Sequence, residues 1–330
     1  MIATRFTERF GLAQPIALAP MAHVAGTELA SAVSNAGALG LVGGGYAGTQ
    51  GPERRAADEL ARCPPERCGI GFITWALALD PTQLARALAL RPACVFLSFG
   101  DPRPFAAEIH AAGVPLVCQI QNLVQLEAAL AAGAAVVVAQ GTEAGGHGAR
   151  RATLPLVPEV ADRLRERAPD TLLLAAGGIA DGRGLAAALL LGADGAVIGT
   201  RFWAAREALT ADAAIARGLA ASGDETVRTA AIDALRGVPW PAEYSFRVLR
   251  NDLTAAWAGR EAEAERQRGT LAAAYRAARE RDDYAVAAAV AGEAIGLCSE
   301  RESAATLVAR IGAEAADLLR RGATLDFRKR

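Results

Sequence analysis

One histidine sits among four glycines in the stretch Gln140-Gly141-Thr142-Glu143-Ala144-Gly145-Gly146-His147-Gly148. Imidazole titrates near neutrality, so a histidine placed in a binding cavity suits a general base. Glycines around it let the backbone approach a flat ligand closely. Two other turns carry a different chemistry. Gly177-Gly178-Ile179-Ala180-Asp181-Gly182 and Gly199-Thr200-Arg201 each follow an apolar run. Bare backbone amides opening a helix, with a hydroxyl beside them, hold a phosphate. One such turn is weak evidence, because glycine there also serves purely steric needs. Two of them after consecutive apolar runs favour a phosphate site. Pro20-Met21-Ala22-His23 follows the first apolar run. Met21 suits the face of a planar ring. His23 is a second titratable candidate, read equally well as a hydrogen-bonded loop residue. His110 falls late in a helical stretch and reads as structural. Gln119 and Gln121 are polar candidates by position alone.

These residues need a frame. Eight short runs, at 16–19, 39–42, 69–73, 94–98, 116–120, 135–139, 172–176 and 196–198, are apolar on both faces. That is the pattern of parallel strands buried on both sides. Helices are expected between them, most clearly at 28–36, 123–132, 155–167 and 183–191. Gly37, Gly113, Gly133 and Gly192 follow helical stretches, where glycine accepts the left-handed conformation that ends a helix. Thr27, Asn122 and Asp181 are placed to cap helix starts. Eight strand–helix units predict an α/β fold, a closed (β/α)8 or TIM barrel; an open doubly wound sheet is the alternative. A barrel carries its active site at the C-terminal strand ends and commonly holds a cofactor phosphate after strands seven and eight. The two glycine turns fall there, and His147 follows the sixth strand.

Past about residue 204 the sequence reads as helical, with no good strand run. Residues 237–241 form a rigid Pro-containing loop, and 261–281 read as a charged, solvated helix. Leu307, Ile311, Ala315 and Leu318 share one helical face. Ser299 and Glu302 could cap that helix, and Gly322 end it. The expected division is a barrel over 1–205 and a helical subdomain over its mouth at 206–285. C-terminal helices at 286–330 would pack back on the barrel, the last as its eighth helix.

Composition narrows the function. A 52% hydrophobic content supports a large core, while 5% aromatic residues and a net charge of −1 argue against nucleic-acid partners. No apolar run approaches the ~20 residues of a membrane span, and the N-terminal stretch lacks the apolar core of a signal peptide. Five scattered cysteines suggest no disulfide framework, and Cys63 and Cys68 lack the companions of a zinc site. The expectation is a soluble cytoplasmic protein without a metal. The apolar C-terminal helices would allow a homodimer.

Ala19-Pro20-Met21-Ala22 with Ala32-Val33-Ser34-Asn35-Ala36-Gly37-Ala38-Leu39-Gly40 resembles the opening of nitronate monooxygenases, also called 2-nitropropane dioxygenases. The His147 loop, Ala175-Ala176-Gly177-Gly178-Ile179-Ala180-Asp181-Gly182 and Ile198-Gly199-Thr200-Arg201-Phe202 complete four motifs in order. The likeness extends to residues 236–241 and 291–294. It implies non-covalently bound FMN and oxidation of alkyl nitronates by O2 to a carbonyl compound and nitrite. His147 matches the family's catalytic base. Gln140, Gly145 and, in the same loop, Gly146 match flavin contacts. Gly178, Gly199 and Thr200, with Gly177 beside them, match the phosphate site, and Met21 lies beside the isoalloxazine. Thr74 stands where the family often has Asn, Trp75 would wall the substrate pocket with His23, and Gln119 is a further candidate cofactor contact. Flavin-type enoyl-acyl-carrier-protein reductases and NADH:quinone reductases share the His147 loop, so an NAD(P)H-dependent flavin reductase is one alternative. A flavin-free barrel binding a phosphorylated metabolite, or a non-catalytic flavin carrier, are others.

Overall fold

The computed structural model describes residues 2–46 and 56–322. Its strands are β1 (Ile16–Leu18), β2 (Gly40–Gly43), β3 (Cys68–Ile73), β4 (Val95–Ser98), β5 (Leu116–Ile120), β6 (Val136–Gln140), β7 (Gly146–Gly148), β8 (Leu172–Ala176), β9 (Gly195–Ile198), β10 (Thr226–Thr229) and β11 (Ser245–Leu249). Eight of them form one parallel sheet in the order β1-β9-β8-β6-β5-β4-β3-β2. A parallel bridge between Ala17 and Leu39 joins its two edges, so the sheet closes as a (β/α)8 barrel. All eight predicted barrel strands are present, with β5 and β8 at their predicted bounds.

The two-residue period of a strand explains why these segments are apolar on both sides. One parity, including Ala17, Phe96, Val117, Val138, Leu174 and Val197, clusters inside the barrel together with Phe6 from the N-terminal helix Arg5–Phe10. The other parity, including Ile16, Val95, Leu116, Val137 and Leu173, packs against the surrounding helices. Burying each large aliphatic side chain stabilises by about 1.5–3 kcal/mol. Gly37, Gly113, Gly133 and Gly192 all take positive φ, at 85°, 69°, 68° and 96°, and end their helices as the sequence predicts.

Asn122 and Asp181 cap their helices with side-chain oxygens. Thr27 does not. Gly26 is the capping residue there, and the Thr27 amide and hydroxyl both bond the Glu59 carboxylate, which does the capping from a distance. The helix Ala304–Gly322 packs against Gly182–Leu190 and Thr27–Asn35 and so fills the eighth position of the ring. Its start is capped by the Ser303 hydroxyl, which accepts from the Thr306 amide at 3.1 Å. Glu302 is instead drawn to Arg201 and Arg310, so the predicted Ser299–Glu302 box does not form.

The stretch between β9 and that helix is not all helical. β10 and β11 pair antiparallel, and β11 pairs in turn with β7 from the His147 loop. Sequence reading missed β10 because Thr226-Val227-Arg228-Thr229 has no apolar face of its own. In β11, Phe246 and Val248 do alternate with Arg247, but over too few residues to stand out. The charged stretch 261–281 is two helices, Glu261–Arg266 and Arg268–Glu280. All five cysteines are free and buried. Among the described residues no helix is long and apolar enough to cross a membrane.

Candidate active site

A cavity of about 480 Å³ opens at the C-terminal ends of the barrel strands. Met21 and His23 enter it after β1, Gln119 from β5 and Gln140 from the end of β6. Gly145, Gly146 and His147 form another wall, with Gly177 and Gly178 after β8 and Gly199 and Thr200 after β9. Gln119 and Gln140 keep the inward parity of Val117 and Val138, so the strand period itself aims them at the mouth.

The glycine end is a backbone cradle. Gly177 and Gly178 have φ of 98° and 75°, a region that only glycine enters without strain. A Cβ on Gly177 would lie 2.9 Å from the Gly141 carbonyl oxygen. The amides of Gly178, Gly199 and Thr200 donate to no backbone acceptor among the described residues. The Thr200 hydroxyl accepts from the Gly292 amide at 2.9 Å, which leaves its own proton free to donate. Free amides and a hydroxyl donor are the equipment of an anion site.

The histidine end is held by the inserted sheet. His147 lies on β7 directly across from Phe246 on β11. Its ring is sandwiched between Trp240, at 3.4 Å with the planes 9° apart, and Phe246, at 4.4 Å and 17°. His147 Nε2 lies 2.8 Å from Asp233 Oδ2, and each side chain is only 5% exposed. Burial pushes the imidazole pKa below its ordinary value; Asp233 pulls it upward, and Arg236 and Arg228 lower it again. A neutral imidazole results, ready to accept a proton.

The family model for nitronate monooxygenases matches residues 3–63 and 69–314. The chain is 37% identical over 262 residues to a nitronate monooxygenase of Metarhizium robertsii, covering 71% of each chain. In three dimensions it is similar to FabK from Thermotoga maritima, with a TM-score of 0.82 at 26% identity, over 98% of this chain and 99% of that one. It is similar also to nitroalkane oxidase from Streptomyces ansochromogenes, with a TM-score of 0.77 at 26% identity, over 97% and 99%. The chain belongs to the nitronate monooxygenase family. It is a flavin oxidoreductase of that kind.

Within this family frame two sequence-predicted positions move. Thr74 and Trp75 do not line the cavity. They open the short helix Thr74–Leu77, directly after β3. Thr74 is 2% exposed and packs under Gly100, whose Cβ would come within 2.9 Å of it. Trp75 stands behind the wall, its ring 5.4 Å from Trp240 and 6.1 Å from Tyr46. Gln140 lines the cavity, yet its carbonyl oxygen accepts from Gln121 at 2.9 Å and its amide donates to the His147 carbonyl at 3.1 Å. It supports the histidine backbone as well as facing the cavity. His23 lies at the rim with a left-handed φ of 60°. Desolvation, then the nearby Arg279 and Arg236, lower its pKa. His110 bonds the Ala132 carbonyl oxygen at 2.9 Å and takes no part.

Sequence reading missed Asp233, Trp240, Phe246, Phe99 and Tyr46. Trp240 lay in a loop read as rigid and as part of the family likeness but not as a wall of the site, and Asp233 in a helix with no motif. The signals that pointed toward them were the likeness over 236–241 and the Phe246–Val248 alternation, which marks a strand beside the histidine loop. Two arginines fasten that loop. Arg228 donates to the carbonyls of Thr142, Ala144 and Gly148 at 2.9, 3.0 and 3.1 Å. Arg247 donates to Thr142 at 3.0 Å and pairs with Glu293 at 2.9 Å. Burial holds the Arg228 pKa down at about 10. Gly145 and Gly292 meet back to back, with a Cβ on Gly145 falling 2.5 Å from the Gly292 amide nitrogen. Any side chain there would push the loop off its seat.

Proposed function

We propose that the protein binds FMN and oxidises alkyl nitronates, or the nitroalkanes that yield them, with O2 to a carbonyl compound and nitrite. The observation that carries this reading is a free-amide cradle and a proton-accepting histidine facing one cavity. The residues fit the cofactor. The amides of Gly178, Gly199 and Thr200, with the Thr200 hydroxyl, would hold the phosphate. Met21, Gln119, Gly145 and Gly146 would flank the ring. When bound, FMN supplies electron transfer between substrate and oxygen.

The chain's own residues do the rest. His147 takes the proton from the carbon bearing the nitro group. The protonated imidazole then offers a positive charge to the nitronate anion it has generated. Phe99, Trp240 and Tyr46 line the same side of the cavity and keep water from the histidine. Gln140 and Arg228 fix the backbone on which His147 rides.

The test is anaerobic mixing of the purified yellow protein with an alkyl nitronate and, separately, with NADH and NADPH. Change of the flavin absorbance with the nitronate, and none with the nicotinamides, is the expected result. Rapid bleaching by a nicotinamide with no response to nitronate would move the protein to the reductase branch.

A further inference from the structure

We propose that Asp233 is the positioning residue of His147, holding Nε2–H so that Nδ1 is the atom that takes the substrate proton. The pair is sealed: Nε2 and Oδ2 are 2.8 Å apart and both side chains are 5% exposed. An imidazole bonded to a carboxylate through one nitrogen carries its proton there, which leaves the other nitrogen as acceptor. Nδ1 has no hydrogen-bond partner among the described residues. It is also absent from the side-chain polar atoms there that are sealed without a partner. It therefore faces the cavity that His147 lines.

A second observation points the same way. Asp233 Oδ1 is buried and has no hydrogen-bond partner among the described residues. A carboxylate oxygen left bare in an apolar site is costly. A pair kept only for packing would satisfy both oxygens. Here the cost falls when the imidazole gains a proton. The substrate's α C–H bond breaks, its electron pair stays on the substrate as the nitronate, and the proton forms an N–H bond at Nδ1. The pair then passes from one net negative charge to none. The Trp240 ring, stacked face to face at 3.4 Å, favours the cationic imidazole too. Asp233 and Trp240 thus offset part of the cost that burial sets on the cation. The charged groups acting on His147 are Asp233 and Arg236 from the helix Ala231–Arg236 and Arg228 from β10. Of these charged groups Asp233 alone favours the cation.

The identity of the proton donor rests on the nitroalkane reading; the tautomer and the titration do not. The chain has only three histidines. Nitrogen-15 NMR of the holoprotein with labelled imidazoles, assigned with His23→Gln and His110→Gln, therefore reads His147 directly. The expected wild-type signal is a neutral ring protonated at Nε2. Asp233→Asn should lower its titration midpoint by about 1–3 units. It should move the pH limb of kcat/KM for a neutral nitroalkane in the same direction and lower kcat/KM at neutral pH about tenfold or more. Turnover of preformed nitronate should fall much less. A wild-type ring protonated at Nδ1, or an Asp233→Asn midpoint and pH limb equal to wild type, would overturn the proposal. The wild-type tautomer decides even where the variant fails to fold. A protein inert to nitroalkanes with the expected tautomer and midpoint shift would sink the nitronate reading and leave Asp233's role standing.

Discussion

Gly178 and His147 face one cavity, but the backbone under each is held in a different way. Gly178 follows β8, a barrel strand paired on both sides with β6 and β9. Its position is set by the ring itself. His147 lies on β7, which among the described residues pairs only with β11 of the insert and is tied down by Arg228 and Gln140. The end proposed to hold the cofactor is therefore part of the scaffold, and the end proposed to handle the proton is carried by an added layer. The difference predicts that the two ends fail separately.

The largest effect should come from His147→Asn. Turnover of neutral nitroalkanes is expected to fall by about 10²–10⁴-fold, the usual worth of a positioned base. FMN should stay bound, and preformed nitronates should lose much less, as steady-state rates on both substrates would read. Equal losses on both would remove the base role and with it the contrast between the ends. Gly178→Val should do the converse. A β-branched residue at φ 75° is strained by roughly 1–3 kcal/mol, which is about 5- to 150-fold in affinity. The variant should shed FMN on gel filtration while its circular dichroism stays that of a folded barrel. Retention of FMN with wild-type affinity would show that this turn does not hold the phosphate.

The smallest effect concerns neither end. Burial raises the Glu59 carboxyl, but the Thr27 hydroxyl and amide together with the Arg62 guanidinium outweigh it and hold the carboxyl down at about 2. A carboxyl depressed on folding adds stability above its unfolded pKa and loses it as pH falls toward the folded one. Glu59→Gln should lower Tm at pH 7 and approach wild type between pH 4.5 and 2. A Tm difference unchanged over that window would detach the ion from the fold's acid stability.

Legibility followed the same division. The barrel strands announce themselves because each is buried on both faces, and Gly177, Gly178, Gly199 and Thr200 sit at fixed places after them. His147 was legible because it ends a glycine-rich loop after β6. Its partners were not. Asp233 owes its role to a helix that folds back across 86 residues of sequence, and a lone aspartate carries no spacing to betray that. Trp240 was visible as a residue but not as a ring stacked on imidazole. Thr74 and Trp75 were misplaced for the opposite reason: they directly follow a barrel strand, yet they begin a short helix and do not line the cavity.

The helix Ala304–Gly322 that completes the ring lies downstream of the whole insert. A ribosome therefore delivers all eight barrel strands first, then the insert, and only last the helix that completes the outer ring. Until that helix emerges, the flanks of Gly182–Leu190 and Thr27–Asn35 stay open, and the Glu314 carboxylate that meets the Gly182 amide at 2.8 Å has yet to arrive. Gly182 opens the helix that follows the β8 cradle. A nascent chain halted before residue 304 would carry every residue proposed to hold the cofactor and still be poorly able to keep it.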